Sequence, residues 1–399
     1  MVTHAAVLGA GIMGTSTALL LARRGIRVVV FDVAGHLIDR ASRWNEGKIH
    51  LGYLYAGDAS LDTARRVLPG GLAFRPIVES LIAAPLGAAV TDHDDTFLVH
   101  RDSVASLDGT AGYFDAVTRL VSDHPDRTHY LAPLTAPAVH RLTDDELERL
   151  ANPDVIVGGF RVPERSVSTT WVADRLAEAV RAEPRIECRL LTCVTGVTRH
   201  ASGRLRVETT DASDGPYDAV VNALWEGRLA IDASMGLPSP AAWSHRYRVS
   251  VFARTRRPLD VPSTVISTGP FGDVKNYNGR DFYLSWYPTG LLTESAAMVP
   301  AMPPILDAEA RERIAATVIA QLAARLPRVY EIGDQLESCR VEGGWVYAAG
   351  TGSLADPAST IHRRDRIGTS RAGRYLSVDT GKYSIAPWLA QRIAEDLTA

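Results

Sequence analysis

The stretch His4-Ala-Ala-Val-Leu-Gly9-Ala-Gly11-Ile-Met-Gly14, with Val28-Val-Val-Phe-Asp32 after it, constrains the fold more than any other part of the chain. Residues 5–8 form a short apolar run suited to a parallel strand buried on both faces. Gly9 permits a sharp turn out of that strand. Gly11 has no Cβ, so an anionic group can approach the backbone. Gly14 lets the next helix lie close against the strand. Ile12 and Met13 open that helix, whose free N–H groups and positive dipole end face the anion. Ala18, Leu21 and Ala22 share one helical face, and Gly25 ends the helix. A second apolar strand closes on Asp32, where a carboxylate can accept hydrogen bonds from a ribose diol. Strand, glycine turn, helix, strand and acid in this order predict a dinucleotide-binding βαβ unit. They do not distinguish one dinucleotide from another.

A chain of 399 residues exceeds what one small core serves, so two domains are expected. Hydrophobic content of 46%, with 22% charged residues, places it among globular enzymes rather than disordered chains. A formal net charge of −3 gives no electrostatic basis for binding nucleic acid or an anionic membrane surface. Cys188, Cys193 and Cys339 form no CxxC pair. That argues against a disulfide framework or structural zinc, and suits a reducing cytoplasm. The N-terminus enters a strand at once, without the basic and apolar regions of a signal peptide. The apolar run at 18–21 is too short to span a bilayer.

After Asp32 the sequence is polar and irregular through His36, Asp39, Arg40, Ser42, Arg43, Asn45, Glu46 and Gly47. It then reads Lys48-Ile49-His50-Leu-Gly52-Tyr53-Leu-Tyr55. A glycine-bearing polar loop here exceeds what a nicotinamide-type domain requires. Helices are predicted over 62–82, broken near Pro69-Gly70-Gly71, and over 113–122 and 143–150. The last carries Thr143 and Glu146 as a capping box. Strands are predicted at 96–100 and 155–162, then an amphipathic helix over 171–182 capped by Ser168 or Thr169. Three short strands follow at 188–194, 205–209 and 217–223. The third ends on Asn222-Ala223, and strand carboxyl ends are where α/β sheets bind ligands. From Trp243 the pattern becomes aromatic-rich, with strands at 246–254, 264–267 and 281–287 that read as an antiparallel sheet. A helix over 307–326, strands at 345–349 and 373–378, and a closing helix over 384–397 complete the chain. The expected fold is therefore α/β. A Rossmann-like dinucleotide domain (1–90, 151–240 and 330–399) is interleaved with an antiparallel-sheet α+β substrate domain (91–150 and 241–329).

Three further blocks carry a family likeness. Ala41-Ser42-Arg43-Trp44-Asn45-Glu46-Gly47-Lys48-Ile49-His50-Leu51-Gly52 is similar to a Ser-x-x-Asn-x-Gly-x-x-His-x-Gly stretch that runs along a flavin. Val220-Val221-Asn222-Ala223 is similar to a Val-Val-Asn-Ala-Ala-Gly strand. Val378-Asp-Thr-Gly381-Lys382-Tyr383-Ser384 resembles a Gly-x-Lys-Phe-Ser turn at the flavin pyrimidine edge. With the fingerprint, these blocks run in order across nearly the whole chain. Together they resemble the D-amino-acid-oxidase-like (DAO) family of FAD-dependent oxidoreductases, which includes glycine, sarcosine and L-2-hydroxyglutarate oxidases and glycerol-3-phosphate dehydrogenase. The resemblance implies FAD as cofactor. It implies cofactor contacts from Gly9, Gly11, Ile12, Met13, Gly14, Asp32, Ser42, Arg43, Asn45, Gly47, Lys48, Ile49, His50, Val194, Asn222, Ala223, Trp225, Gly381, Lys382, Tyr383 and Ser384. There are departures. Leu224-Trp225-Glu226 stands where the family has Ala-Gly and a tryptophan, and Asp32 replaces the commoner Glu. Tyr53 and Tyr55 occupy the place of a carboxylate-binding arginine. No cysteine follows Cys339, so a covalent flavin would have to use His50.

Flavin oxidation lays a C–H bond over the cofactor, and negative charge develops at its N1–C2=O edge. Lys382 and the N-terminus of the last helix suit that charge. A surface lysine there would be disfavoured by the dipole. His50 can orient the ring or act as a base near neutral pH; its plainer role is a structural histidine held by backbone groups. Lys48 faces the flavin or an acid such as Glu46, or is an ordinary solvated lysine. Tyr53, Tyr55, Arg248, Tyr283 and Trp286 are the candidate substrate residues. Tyr277, Tyr287, Arg246 and Lys275 offer further aromatic walls and charge, although alternation in a sheet turns half such residues away from any pocket. Arg340 is of the same kind. The cluster His362-Arg363-Arg364-Asp365-Arg366 reads as a solvated loop, with phosphate recognition the sharper alternative. No metal site is expected. The expected partners are a small polar substrate bearing an amine or hydroxyl, and dioxygen or another electron acceptor. Two rivals remain: an NAD(P)-dependent hydroxyacid-type dehydrogenase, whose second domain would be helical, and a non-catalytic flavin-binding protein.

Overall fold

A computed structural model describes residues 1–399. Its first sheet has six strands in the order Gly368–Ala372, Tyr375–Asp379, Ala219–Asn222, His4–Leu8, Arg27–Phe31 and Ile186–Arg189. All neighbours pair in parallel except the first two, which form a hairpin. Apolar residues fill both faces, as a doubly covered parallel sheet requires. Ala5 and Val7 point into one core with the helices Ile12–Ala22, Thr169–Ala182 and Ala386–Thr398. Ala6 and Leu8 point into another, against the three-stranded sheet Val194–Arg199, Leu205–Thr209 and Ser213–Tyr217. The three strands expected between 188 and 223 are thus five. Short turns split both the first and the last expected run, and the added strands cover the back of the sheet.

The second sheet is larger and mixed. Its order is Leu291–Ser295, Ser244–Thr255, Asp281–Trp286, Gly272–Asn276, Thr264–Ser267, Asp95–His100, Ile156–Val162 and His140–Arg141, and Leu336–Ala348 also pairs along Ser244–Thr255. It is antiparallel except where Thr264–Ser267 runs parallel to Asp95–His100. Two segments depart from the expected division. Ile156–Val162 and Leu336–Ala348 were assigned to the nucleotide-binding unit, but both hydrogen-bond into this sheet. Local patterns identify a strand but not its partner. The sheet replaces the helical second domain that a hydroxyacid-type dehydrogenase would carry.

Period-two alternation decides what each strand offers. Val249, Val251, Phe282, Leu284, Trp286 and Val274 pack with Ala315, Val318 and Leu322 of the helix Ala308–Ala323. Their neighbours Arg246, Arg248, Tyr283, Ser285 and Asp273 line a cavity on the other side.

The helix Asp62–Ile82 runs unbroken through Pro69 and Pro76. Proline costs about 3 kcal/mol in a helix interior and glycine about 1 kcal/mol, yet Leu68, Leu72, Phe74 and Val78 are all fully buried by continuing it. The glycines serve close approach instead of a break. A Cβ on Gly71 would lie 2.0 Å from the His50 carbonyl oxygen, and one on Gly70 would lie 2.4 Å from Ile385.

Candidate active site

At the turn after the first strand, Gly9 adopts φ +99°, a conformation that side chains disfavour. A Cβ on Gly14 would fall 1.8 Å from the Gly9 carbonyl oxygen, so only glycine lets the helix seat there. The helix begins with no acidic residue in its first turn and no side-chain cap on Gly11. The Ser42 hydroxyl accepts from Ile12 N–H at 3.1 Å, while Gly11, Met13 and Gly14 N–H find no acceptor in the protein. Three unsatisfied donors at a helix N-terminus fit a pyrophosphate. Asp32 accepts from the backbone of Ala10 at 2.6 Å and Ala34 at 2.7 Å, which fixes its carboxylate at the strand end beside the turn.

Asn45 folds the loop from 41 to 47. Its amide donates to Ala41 O at 2.9 Å and its oxygen accepts from Gly47 N at 2.9 Å. Arg43 leans outward onto Asp174 at 2.9 Å. Lys48 and Ile49 then pair with Arg165 and Ser166. His50 follows, 1% exposed, with Nδ1 lacking any partner. Burial, reinforced by Lys382, Lys48 and Lys275, pushes the imidazole well below its usual value and keeps it neutral. Val194 is half-buried at the start of its strand. Gly381 turns the chain with its N–H on Asp379 Oδ1 at 3.0 Å. Lys382 follows with no carboxylate partner, 5.6 Å from the Tyr55 ring centroid. Burial and then Arg364 lower its ammonium to about 8. The buried Ser384 hydroxyl and Tyr55 hydroxyl are likewise unpartnered. Tyr383 lies against Phe74 at 5.7 Å between ring centroids.

The cavity between the sheets encloses about 200 Å³. It brings together Lys48, Tyr55, Arg248, Tyr283 and Lys382, all singled out in the sequence. It also takes in Arg246, Tyr287 and Arg364, named more broadly in the sequence, together with Glu46 and Asp273. Four expectations are corrected. Tyr53 points into the core, its ring edge-on to Phe114 at 5.4 Å and its hydroxyl on Thr118 at 2.9 Å. Trp286 faces the helix side because it alternates with Ser285. The Asn222 side chain is committed to Arg228 O, Asp232 and Tyr375, so only its backbone remains for a ligand. Arg364 is no solvated residue: its guanidinium donates to Tyr347 O at 2.7 Å and lines the cavity. Trp225 and Ala223 stay beside the turn, Trp225 donating to Trp345 O at 2.6 Å and the Ala223 oxygen closing on Gly9.

Sequence reasoning also missed a buried ionic group. Lys48 bonds Asp95 rather than Glu46, and Lys275 bonds the same Asp95 oxygen at 2.6 Å. Glu164 lies 3.9 Å from Lys48 and accepts from the Leu51 and Gly52 amides at 2.6 and 3.0 Å, fixing the chain beside His50. Burial works against the Lys48 charge, but Asp95 and Glu164 raise it above its usual value. Burial lowers Lys275 to about 8. No local pattern could have paired residues so far apart in sequence.

A glycine turn with free helix N–H groups suits a dinucleotide, and the cavity beside Lys382 gathers Arg246, Arg248 and Arg364 as well. The chain belongs to the DAO family of FAD-dependent oxidoreductases, whose family model matches residues 4–377. Glycine oxidase from Geobacillus kaustophilus has the same fold, with TM-score 0.67 at 15% identity over 99% of this chain and 94% of that one. So does iminodiacetate oxidase from Chelativorans sp. BNC1, with TM-score 0.67 at 15% identity over 99% and 95%. L-α-glycerophosphate oxidase from Mycoplasma pneumoniae, with FAD bound, gives TM-score 0.64 at 13% identity over 99% and 94%. No curated protein matches the sequence significantly. The protein is an FAD-dependent oxidoreductase, and no helix in it is long and apolar enough to cross a membrane.

Proposed function

We propose that the enzyme oxidises the carbon bearing an amine in a small carboxylate substrate, with the cavity between the two sheets as its active site. The observation that carries this reading is Lys382, a cavity-lining ammonium without a carboxylate partner, placed ahead of the last helix. Bound FAD supplies the acceptor for a hydride leaving the substrate carbon. The first-turn amides of Gly11, Met13 and Gly14 hold the pyrophosphate, Asp32 the ribose, and Ser42 and the Asn45–Ile49 loop the length of the cofactor. Lys382, protonated at Nζ, would supply positive charge to the flavin end of the bound cofactor. Neutral His50 orients the ring through Nδ1. Arg248, with Arg246, grips a substrate carboxylate in place of the arginine that Tyr53 and Tyr55 displace. Tyr55, Tyr283 and Tyr287 wall the cavity and exclude water.

The proposed division joins the six-stranded sheet and its helices into an FAD-binding unit and leaves the larger sheet as the substrate unit. Dioxygen or another acceptor regenerates the oxidised cofactor. Three unpaired cysteines, two of them exposed, suit a cytoplasmic setting. Anaerobic addition of small amines to the purified holoprotein tests the reading. Bleaching of the flavin band by a carboxylated amine is expected. Bleaching by hydroxy acids alone would move the chemistry to an alcohol carbon.

A further inference from the structure

Arg246, Arg248, Arg364 and Lys382 converge on one cavity, and none of them forms a salt bridge. Elsewhere the interior treats cations differently. Lys48 and Lys275 share Asp95, and Arg228 has Asp232. Buried charges without partners are costly, so such an arrangement persists where a ligand completes it. Arg246 is 3% exposed, donates to the Tyr287 hydroxyl at 3.0 Å and leaves Nε without a partner. Arg248 stands two residues on along the same strand face. It donates to Ser285 at 2.8 Å, stacks 4.5 Å over the Tyr287 ring and also leaves Nε free. Arg364 reaches the cavity from a separate segment, its backbone held on the Thr63 hydroxyl and its guanidinium on the Tyr347 carbonyl alone. The guanidiniums thus come from two directions. One carboxylate has room for a single bidentate fork, so two sources of arginine suit two anionic groups. Glu46 and Asp273 also line the cavity and offer carboxylates for an ammonium.

We propose that the substrate is an amino dicarboxylate: one carboxylate held by Arg246 and Arg248, a second by Arg364, and the amine facing Glu46 and Asp273. This rests on the amine-oxidation reading, and Lys382 is left to the cofactor.

Binding can be read without turnover, from the shift in the flavin absorption of the FAD-loaded enzyme on adding anions that cannot be oxidised. Succinate should half-saturate at about tenfold lower concentration than propionate, a difference of about 1.4 kcal/mol. Arg364→Met should weaken succinate about tenfold more than propionate and so erase that advantage. Arg246→Met, within the paired strand Ser244–Thr255, should weaken both ligands and serves if the Arg364 segment refolds. Equal affinity for succinate and propionate, or no shift with either, would overturn the proposal. So would glycerol phosphate binding more tightly than succinate, which would assign the second site to a phosphate monoester. Anaerobic bleaching separates the two readings. Faster reduction by glycine than by aspartate or iminodiacetate overturns the dicarboxylate and keeps amine oxidation. Succinate preference with no reduction by any amine keeps the dianion site and overturns amine oxidation.

Discussion

At the residue scale, Lys382 and Asp95 show opposite uses of buried charge. The Lys382 ammonium is lowered from its ordinary 10.5 to about 8 by burial and the neighbouring Arg364. The unfolded chain therefore holds this proton more tightly than the folded one. Its cost to folding is fully present below pH 8 and fades as pH rises from about 8 to 10.5. Lys382→Met should accordingly raise the stability of the cofactor-free protein at pH 7, on the order of 1–2 kcal/mol after allowing for partial exposure. The same substitution should flatten the pH dependence of the bound flavin's absorption near pH 8. Thermal denaturation and flavin-difference titrations across pH check both. A less stable variant with an unchanged pH profile would remove Lys382 from the site. Asp95 works the other way. Its burial would raise it, but Lys275 and Lys48 hold it below the usual carboxylate range. Its stabilisation is present above the ordinary aspartate range and is lost as pH falls through the lowered value. Asp95→Asn leaves two buried lysines facing a neutral amide and should cost about 3–5 kcal/mol in denaturant unfolding.

At the element scale, the fit of helices onto the strands and loops below them places the working groups. Gly71 is one such point beside His50, because a Cβ there would meet the His50 carbonyl oxygen at 2.0 Å. Gly71→Ala should destabilise the fold by about 1–3 kcal/mol and shed FAD during purification, measured as the flavin-to-protein absorbance ratio. A fully loaded variant would show that the His50 segment does not depend on this helix. Elements with local signals were legible in the sequence. The first βαβ unit, the Thr143–Glu146 capping box and the Ser168 cap follow from residues within a few positions of one another. The helix over Asp62–Ile82 was legible, but its continuity was not, since the close approaches of Gly70 to Ile385 and of Gly71 to His50 involve distant segments. Alternation could have sorted the sheet residues. Counting by twos from Arg248 or Tyr283 puts Arg246 and Ser285 toward the cavity and Trp286 away from it. That needs the strand boundaries, which the turns blur.

At the scale of the whole molecule, segments from both ends and the middle of the chain meet at one cavity. The cavity lining comes from residues 46–57, 246–287, 346–364 and 382, while the sheet order sets residues 4–8, 219–222 and 375–379 side by side. Family resemblance made the FAD-binding blocks legible because close backbone approach to a cofactor demands particular residues at fixed spacing. Arg364 and the Asp95 pairing were illegible because their meaning depends on partners brought from distant segments. A loop arginine looks solvated until the fold closes over it. In the proposed reaction the cationic cavity presents an amino dicarboxylate to FAD. Its most direct test is anaerobic titration of the FAD-loaded enzyme with an amino dicarboxylate such as aspartate or iminodiacetate. The account predicts loss of the oxidised flavin band at about one equivalent per flavin, since each substrate delivers one hydride. A flavin that stays oxidised with these compounds while a monocarboxylic amine bleaches it would contradict the account.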